Sequence, residues 1–401
     1  MSGIVIIGAG ECGTRAAFAL REAGYSGSVV LVGAEPHLPY ERPPLSKPAS
    51  DAVRMKLICA KDGLADAGID YLKGVSASKL DADAGTVTLS DGRVLAYQKL
   101  LLATGARPRR LACPGAERAL DFRTHGDAEA IFSRAGVARS TAVIGGGLIG
   151  MELASVLRGE GIAVSVIEAA PKTLGRAVPA RFAEKLHARH IEEGVDFHLG
   201  RGVAAITDDG VILTDGSMVQ AQLVISAIGV MPEITLAQDA GLATGNGILT
   251  DTHLRTSAAN IFAAGDCAAV SQTDGGHIRF ESWRNARAQA ETAARTMIGS
   301  LEPFTAIPWF WSDQYDLSLQ VVGLPQPAHQ SVVRPLGDGE LEFYLDAGRL
   351  VAAAGLGIGN AVAKDIKLAE MLIAAGVRPD TAALANANLN LKALLKSARA
   401  A

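Results

Sequence analysis

The sequence predicts an α/β protein with two dinucleotide-binding domains and a C-terminal α+β domain. Three observations carry that prediction. A strand, glycine turn, helix, strand pattern occurs twice, each copy leads into residues of strand character, and beyond Pro308 the texture becomes aromatic and strand-rich.

The first copy opens the chain. Gly8-Ala9-Gly10-Glu11-Cys12-Gly13 follows the apolar run Ile4-Val5-Ile6-Ile7 and leads into a helix from Thr14 to Ala23. The next strand, Val29-Val30-Leu31-Val32, ends at Gly33-Ala34-Glu35. Five prolines between 36 and 48 predict a stiff, extended loop that can hold Arg42 or Lys47 against a ligand; a plain solvated loop also fits. Residues 69–102 alternate apolar and polar positions around Asp91-Gly92, which predicts a β meander. It ends in Leu100-Leu101-Leu102-Ala103-Thr104-Gly105, where small residues let the chain cross close to a cofactor.

The second copy reads VIGGGLIGMELASVLRGEGIAVSVIE over residues 143–168. Gly145 allows the tight turn, Gly147 lets the backbone approach a pyrophosphate, and Gly150 lets the helix pack close to the sheet. The helix N-terminus offers N–H groups and a partial positive charge to phosphates. Glu168, 18 residues after Gly150, is placed to accept hydrogen bonds from an adenosine ribose and to repel a 2′-phosphate. That favours NAD over NADP, with Lys172 and Arg176 as opposing charges nearby. Two complete units in one chain argue for two bound dinucleotides rather than for packing alone.

A second meander, from about 195 to 219, leads to Leu223-Val224-Ile225-Ser226-Ala227-Ile228-Gly229, a crossing like the first. A strand at 260–263 then ends in Ala264-Gly265-Asp266, and a helix is expected to follow. Asp266 there reads either as an acceptor for a ribityl hydroxyl or as that helix's N-cap. An Ala-rich helix from 281 to 297 carries Trp283, Arg284 and Arg287. The tail begins with Trp309-Phe310-Trp311-Ser312-Asp313-Gln314-Tyr315, continues with strand-like runs at 319–323, 330–336, 341–346 and 350–354, and closes with a helix at about 362–375. The aromatic cluster reads as core or as site.

Length and composition bound the function. With 401 residues the chain holds about two to three domains. A hydrophobic fraction of 49% and a net charge of −4 predict a globular chain with no basic footprint for nucleic acid or a membrane surface. No apolar run approaches the roughly 18 residues of a membrane span, and no signal peptide precedes the first strand, so a cytoplasmic location is expected. Cys12, Cys59, Cys113 and Cys267 are widely spaced, which suggests neither a metal site nor a disulfide framework.

Together, the two GxGxxG turns, Ala103-Thr104-Gly105, Ala264-Gly265-Asp266, Arg42-Pro43-Pro44-Leu45-Ser46-Lys47 and Trp309-Phe310-Trp311-Ser312-Asp313-Gln314 resemble the FAD-dependent, NADH-utilising ferredoxin reductases of bacterial ring-hydroxylating dioxygenase and cytochrome P450 systems. The resemblance covers nearly the whole chain. Its specific parts are the RPPLSK and WFWSDQ stretches, since the turns alone fit any glutathione-reductase-like flavoenzyme. It implies two Rossmann-like domains: a FAD domain formed by 1–108 and 237–310, and an NAD domain, 109–236, inserted within it. An α+β domain, 311–401, follows.

The resemblance also implies roles for individual residues. Gly8, Gly10 and Gly13 would face the FAD pyrophosphate, with Cys12 lining that turn. Lys47 would lie near the flavin ring, paired with Glu152, as the two catalytic residues: a positive charge near N5 stabilises reduced, anionic flavin. Ala77 would offer backbone to the adenine, Arg123 would reach the cofactor, Gly265 and Asp266 would meet the ribityl chain, and Trp283 would lie by the isoalloxazine. Ala34 stands where the family often has an acid, which leaves Glu35 to contact the ribose. Trp283 replaces what is frequently a small aliphatic residue, so its contact could be through backbone alone. Arg42, Ala103, Thr104, Gly105, Gly145, Gly147, Ile149, Gly150, Glu168, Ile228 and Gly229 complete the cofactor-binding candidates. The implied activity passes electrons from NADH through FAD to a [2Fe–2S] ferredoxin that feeds an oxygenase, from a monomer or a homodimer. Arg284 and Arg287 are candidates for docking an acidic ferredoxin, although a solvated helix face is the reading their positions favour.

Two rivals share this scaffold. An NADH oxidase, peroxidase or disulfide reductase needs a redox-active cysteine facing the flavin, yet no cysteine lies between Cys12 and Cys59, and the relevant stretch reads PPLSKP. An interaction protein resembling apoptosis-inducing factor would be expected to carry a basic patch or a targeting sequence, and neither is found.

Overall fold

Short runs of Val, Ile and Leu buried on both faces make parallel strands, and the fold is built around two such sets. The computed structural model describes residues 3–47, 55–175, 178–272 and 275–400, the last four by backbone alone; Arg176 lies outside the described residues. The chain forms two compact units. One comprises Met1–Leu45, Arg54–Arg107 and Val230–Ala306, the other Ser46–Val53, Pro108–Gly229 and Ile307–Ala401.

In the first unit, β1 (Gly3–Ile7) leads into α1 (Glu11–Glu22), followed by β2 (Val29–Gly33), β3 (Ile69–Lys73), β4 (Ala77–Asp81), β5 (Thr86–Leu89) and β6 (Val94–Leu102). The order β3-β2-β1-β6 is parallel throughout, and the strand Ile261–Ala263 adds to β6 in the same direction. β6 is long enough to serve two sheets. Its first half closes an antiparallel meander with β5 and β4, and its second half lies beside β1.

The meander therefore starts at Ala77, not at residue 69. β3 is the edge of the parallel sheet, and its alternation records one buried face, which says nothing of the direction of its neighbour. The second unit departs from expectation in the same way, because Asp196–Leu199 pairs in parallel with Ala163–Glu168.

Two further expectations are corrected in the first unit. Pro43–Ser46 forms one turn of 3-10 helix inside the proline-rich loop, since two prolines at its start already hold the φ that such a turn requires. No helix follows Asp266. Gly265, at φ +82, turns the chain into the strand Ala268–Ser271, which pairs with Gly247–Thr250, so Asp266 is not a helix cap. The helix begins at Trp283, where the Ser282 hydroxyl accepts from the Asn285 N–H at 3.2 Å. Its alanines 286, 290, 293 and 294 share a core with Ala16, Ala17 and Leu20 of α1.

In the second unit the parallel sheet runs Asp196–Leu199, Ala163–Glu168, Ser140–Ile144, Leu223–Ser226, Leu120–Asp121, with a three-stranded antiparallel sheet over Val203–Thr207, Gly210–Leu213 and Met218–Gln220. The tail folds into a five-stranded antiparallel sheet in the order Trp309–Gln314, Leu317–Gly323, Arg349–Ile358, Gly339–Asp346, Gln330–Leu336. Strand period two gives this sheet two apolar faces. Val322, Phe343 and Ala353 pack on Ile366 and Leu372 of the helix Ala363–Ala374, while Leu319, Val321 and Ala354 join Met151 and Leu157 of the helix Leu148–Gly159. Among the described residues no helix is long and apolar enough to cross a membrane.

Candidate functional site

Both glycine turns are built by the same contacts. Gly8 has φ +109, and a Cβ on it would stand 2.1 Å from the Ala103 carbonyl oxygen; Gly145 has φ +108, with the Ala227 oxygen at 2.4 Å. A Cβ on Gly13 or Gly150 would meet the carbonyl oxygen of Gly8 or Gly145 at 1.8 or 1.9 Å. Protein backbone thus fills the space at these four positions. Gly10 and Gly147 are different, because a Cβ there would meet nothing within 4 Å. Each is also the N-cap of its helix, without a side-chain cap, so the first-turn N–H groups are left to an outside acceptor. Ile149, in the first turn of the second helix, is 45% exposed despite its apolar side chain. Cys12 is buried against Gly265, and burial pushes its thiol well above the ordinary range.

The two strand-end acids behave differently. Glu168 accepts from the N–H of Gly146 at 2.7 Å and of Ala170 at 2.8 Å, which draws its carboxylate onto the glycine turn. Lys172 is engaged with Glu184 at 3.0 Å. Glu35 instead accepts from the Tyr40 hydroxyl and pairs with Arg42 at 2.7 Å, and the Arg42 guanidinium lies 5.6 Å from the centre of the Tyr40 ring. Ala34, rather than Glu35, lines a cavity of about 340 Å³ together with Gly8, Ala77 and Thr104. The crossings are pinned: the Thr104 hydroxyl donates to the Glu233 carbonyl at 2.6 Å, and the N–H of Glu233 returns to Gly105. At the matching place in the second unit, Gly229 accepts from the Arg109 N–H and has φ +95. Ile228, just before it, packs at the edge of a core with Ile144 and Val224.

Gly265 donates its N–H to the buried Gln289 at 2.7 Å, which ties the turn carrying Asp266 to the helix Trp283–Met297. On that helix Arg287 lies 5.8 Å from the Trp283 ring and pairs with Glu291 at 3.6 Å. Arg123 belongs to the second unit, directly ahead of the helix His125–Ala135, and its N–H donates to Asp127 at 3.0 Å.

A buried carboxylate organises the second unit. Glu152, 6% exposed on the helix Leu148–Gly159, accepts from the Ser46 hydroxyl on one oxygen and the Ser312 hydroxyl on the other, both at 2.7 Å. Lys47 stands 3.9 Å from it and makes its closer ion pair, 2.7 Å, with Asp313. The ammonium also lies 5.4 Å from the Trp311 ring. Burial pushes the Glu152 carboxyl up, while Lys47 and the two hydroxyls oppose that rise. A hydrogen bond to a charged group contributes about 1.5–3 kcal/mol, so the two serines offset much of the cost of the buried charge.

Over residues 2–290 the chain matches the family described as pyridine nucleotide-disulphide oxidoreductase, and over 309–395 the family described as reductase C-terminal. The chain belongs to these families. The ferredoxin–NAD(+) reductase component of the anthranilate 1,2-dioxygenase system of Burkholderia cepacia is 39% identical over 404 residues, 98% of each chain. A ferredoxin reductase from Rhodopseudomonas palustris superposes with a TM-score of 0.93 at 33% identity, over 98% of this chain and 100% of that one. Putidaredoxin reductase, solved in a covalent complex with putidaredoxin, gives 0.92 at 32% identity over 100% and 99%. The resemblance read from the motifs is therefore a family membership, and the family uses FAD and NAD(H).

The residues present fit both cofactors of the pyridine nucleotide-disulphide oxidoreductases. The open side of Gly10 and of Gly147, each above uncapped N–H groups, is the cradle a pyrophosphate requires. The first unit brings together Gly8, Gly10, Cys12, Gly13, Ala77, Ala103, Thr104, Gly105, Gly265, Asp266 and Trp283, with Glu35 and Arg42 paired to each other. The second brings together Gly145, Gly147, Ile149, Gly150, Glu168, Ile228 and Gly229, and separately Lys47 with Glu152. Sequence reasoning missed Ser46, Ser312, Asp313 and Gln314. The available signal was Ser312 and Gln314 two residues apart on a strand, which puts two polar side chains on the same face, and both are fully buried.

Proposed function

We propose that this protein is an NADH-dependent, FAD-containing reductase that passes electrons to a [2Fe–2S] ferredoxin serving an oxygenase. The observation that carries the reading is the repeated turn with an open second glycine, once in each unit, on a chain whose four cysteines form no disulfide and whose Cys12 and Cys267 are buried. When bound, FAD takes two electrons from NADH as a hydride and releases them singly, which suits a one-electron acceptor.

The chain's own residues bind and orient. Gly8, Gly10 and Gly13 admit the FAD pyrophosphate to the N-terminus of α1, and Gly145, Gly147 and Gly150 do the same for NADH. Cys12 lines the first turn through its backbone. Ala77, Ala103, Thr104 and Gly105 border the adenosine end of FAD, and Gly265, Asp266, Trp283, Arg42 and Arg123 hold its remainder, with Glu35 acting through Arg42. Ile149, Ile228 and Gly229 border NADH. Glu168 selects it over NADPH. Lys47 holds a positive charge beside the flavin, with Glu152 and Asp313 setting its position. The assignment divides the chain into a FAD domain, 1–108 and 237–310, an NAD domain, 109–236, and a C-terminal domain, 311–401. It goes with a cytoplasmic location and with a monomer or homodimer.

The test is anaerobic. NADH should bleach the FAD-loaded protein, and an added [2Fe–2S] ferredoxin should then be reduced and pass electrons to cytochrome c. Turnover with peroxide or a disulfide and none with ferredoxins would overturn the reading.

A further inference from the structure

Hydrogen-bond donors behind Glu152 all point the same way. An ionised carboxylate only accepts, so the Ser312 hydroxyl donates to it. Having given its proton, the Ser312 oxygen accepts from the Gln314 side-chain NH₂ at 3.1 Å. The Gln314 carbonyl oxygen therefore faces Nε2 of His190 at 2.9 Å, and since it too only accepts, His190 carries its proton on Nε2. Nδ1 is then bare and accepts from the Tyr315 hydroxyl at 3.2 Å. Ser312, Gln314 and His190 are each fully buried.

We infer that Gln314, His190 and Tyr315 are positioning residues, forming with Ser312 a one-way donor chain that keeps Glu152 ionised and thereby holds Lys47 in place. Protonating Glu152 on the oxygen facing Ser312 would turn that hydroxyl into an acceptor there. Two donors would then meet unless the Gln314 amide turned over and His190 moved its proton to Nδ1. The chain thus ties protonation of that oxygen to the tautomer of a histidine three side chains away, and leaves the oxygen facing Ser46 as the one a proton could reach without disturbing it. Burial holds His190 neutral, down to about pH 4, so the tautomer is defined at working pH. Other charged or titratable groups bearing on this system include Lys47 and Asp313 beside Glu152, His187, Arg189 and Glu193 beside His190, and Arg158 together with Arg189 and Glu193 beside Tyr315.

The inference concerns the charge placement assigned above to Lys47 and rests on that reading, but two of its readouts do not use turnover. In the full-length, FAD-loaded protein, ¹⁵N spectra of His190, assigned by loss in His190→Gln, should show the Nε2–H tautomer at neutral pH. The Nδ1–H tautomer would overturn the chain. Infrared titration should show Glu152, assigned by loss of its band in Glu152→Gln, ionised at neutral pH in the wild type and largely protonated in Gln314→Met. NADH reduction of the flavin should slow in Gln314→Met by about tenfold, and less in Tyr315→Phe. Gln314→Met with a wild-type carboxyl titration overturns the inference; if that variant does not fold, the wild-type tautomer decides alone. A wild-type protein that binds no flavin or oxidises no NADH instead overturns the reductase reading and leaves both spectral outcomes to be judged independently.

Discussion

Lys47 has two acidic neighbours of different character, and that difference sets what each substitution does. Glu152 is buried and fully hydrogen-bonded, whereas the Asp313 side chain is 43% exposed and its attraction is screened. Lys47→Met should slow flavin reduction by NADH on the order of tenfold, the factor that goes with about 1.4 kcal/mol of lost charge stabilisation. Asp313→Asn should change it much less. Anaerobic stopped-flow absorbance checks both, and equal effects would mean that the exposed pair, not the buried one, sets the lysine. This pair of partners was half legible beforehand: the family resemblance named Glu152, and nothing local marked Asp313 as the closer one.

The glycine turns permit a sharper separation of fold from binding. Gly8→Ala and Gly145→Ala each force a Cβ at positive φ onto a carbonyl oxygen and should lower stability by ~2–4 kcal/mol. Gly10→Ala and Gly147→Ala add a Cβ where nothing stands within 4 Å. Their melting temperatures without cofactor should match wild type. Gly10→Ala should lose FAD on dilution, and Gly147→Ala should raise the Kd for NADH by about tenfold or more, read by calorimetry. Cofactor binding unchanged in both would mean that the open faces do not receive phosphates. Helices and strands around these turns were largely readable from apolar runs. The helix expected after Asp266 was not formed, because Ala268–Ser271 found a strand partner in Gly247–Thr250, a pairing that local sequence does not announce.

Across the whole molecule, two properties follow from what is buried. His190 titrates near pH 4 in the fold against its ordinary 6.5. Between those values the unfolded chain binds the additional proton, so stability rises with pH through this window and falls on acidification, by up to ~3 kcal/mol once pH reaches 4. Denaturant melts of wild type and His190→Gln should converge as pH drops from 6.5 to 4; a constant difference would mean that His190 is not neutral in the fold. The second property is thiol independence. Cys12 and Cys267 are buried and their thiols pushed up, and Cys59 and Cys113 are only partly exposed and likewise raised. Alkylation in the presence of NADH should leave ferredoxin reduction unchanged, and its loss would restore a disulfide-reductase mechanism.

Two nucleotide turns and the parallel strands that carry them could be read from the chain because their demands are short-range. Gly13 and Gly150 sit where the carbonyl oxygen of Gly8 or Gly145, a few residues earlier, would strike a Cβ, and an apolar run precedes each turn. The polar chain from Glu152 to Tyr315 could not be read, because its members come from 46–47, 148–159, 180–192 and 309–315, and their only common signal is burial. Hydrogen-bond direction belongs to the folded arrangement alone: the same serine, glutamine and histidine in water have no preferred donor, and acquire one only when a buried carboxylate stands at one end.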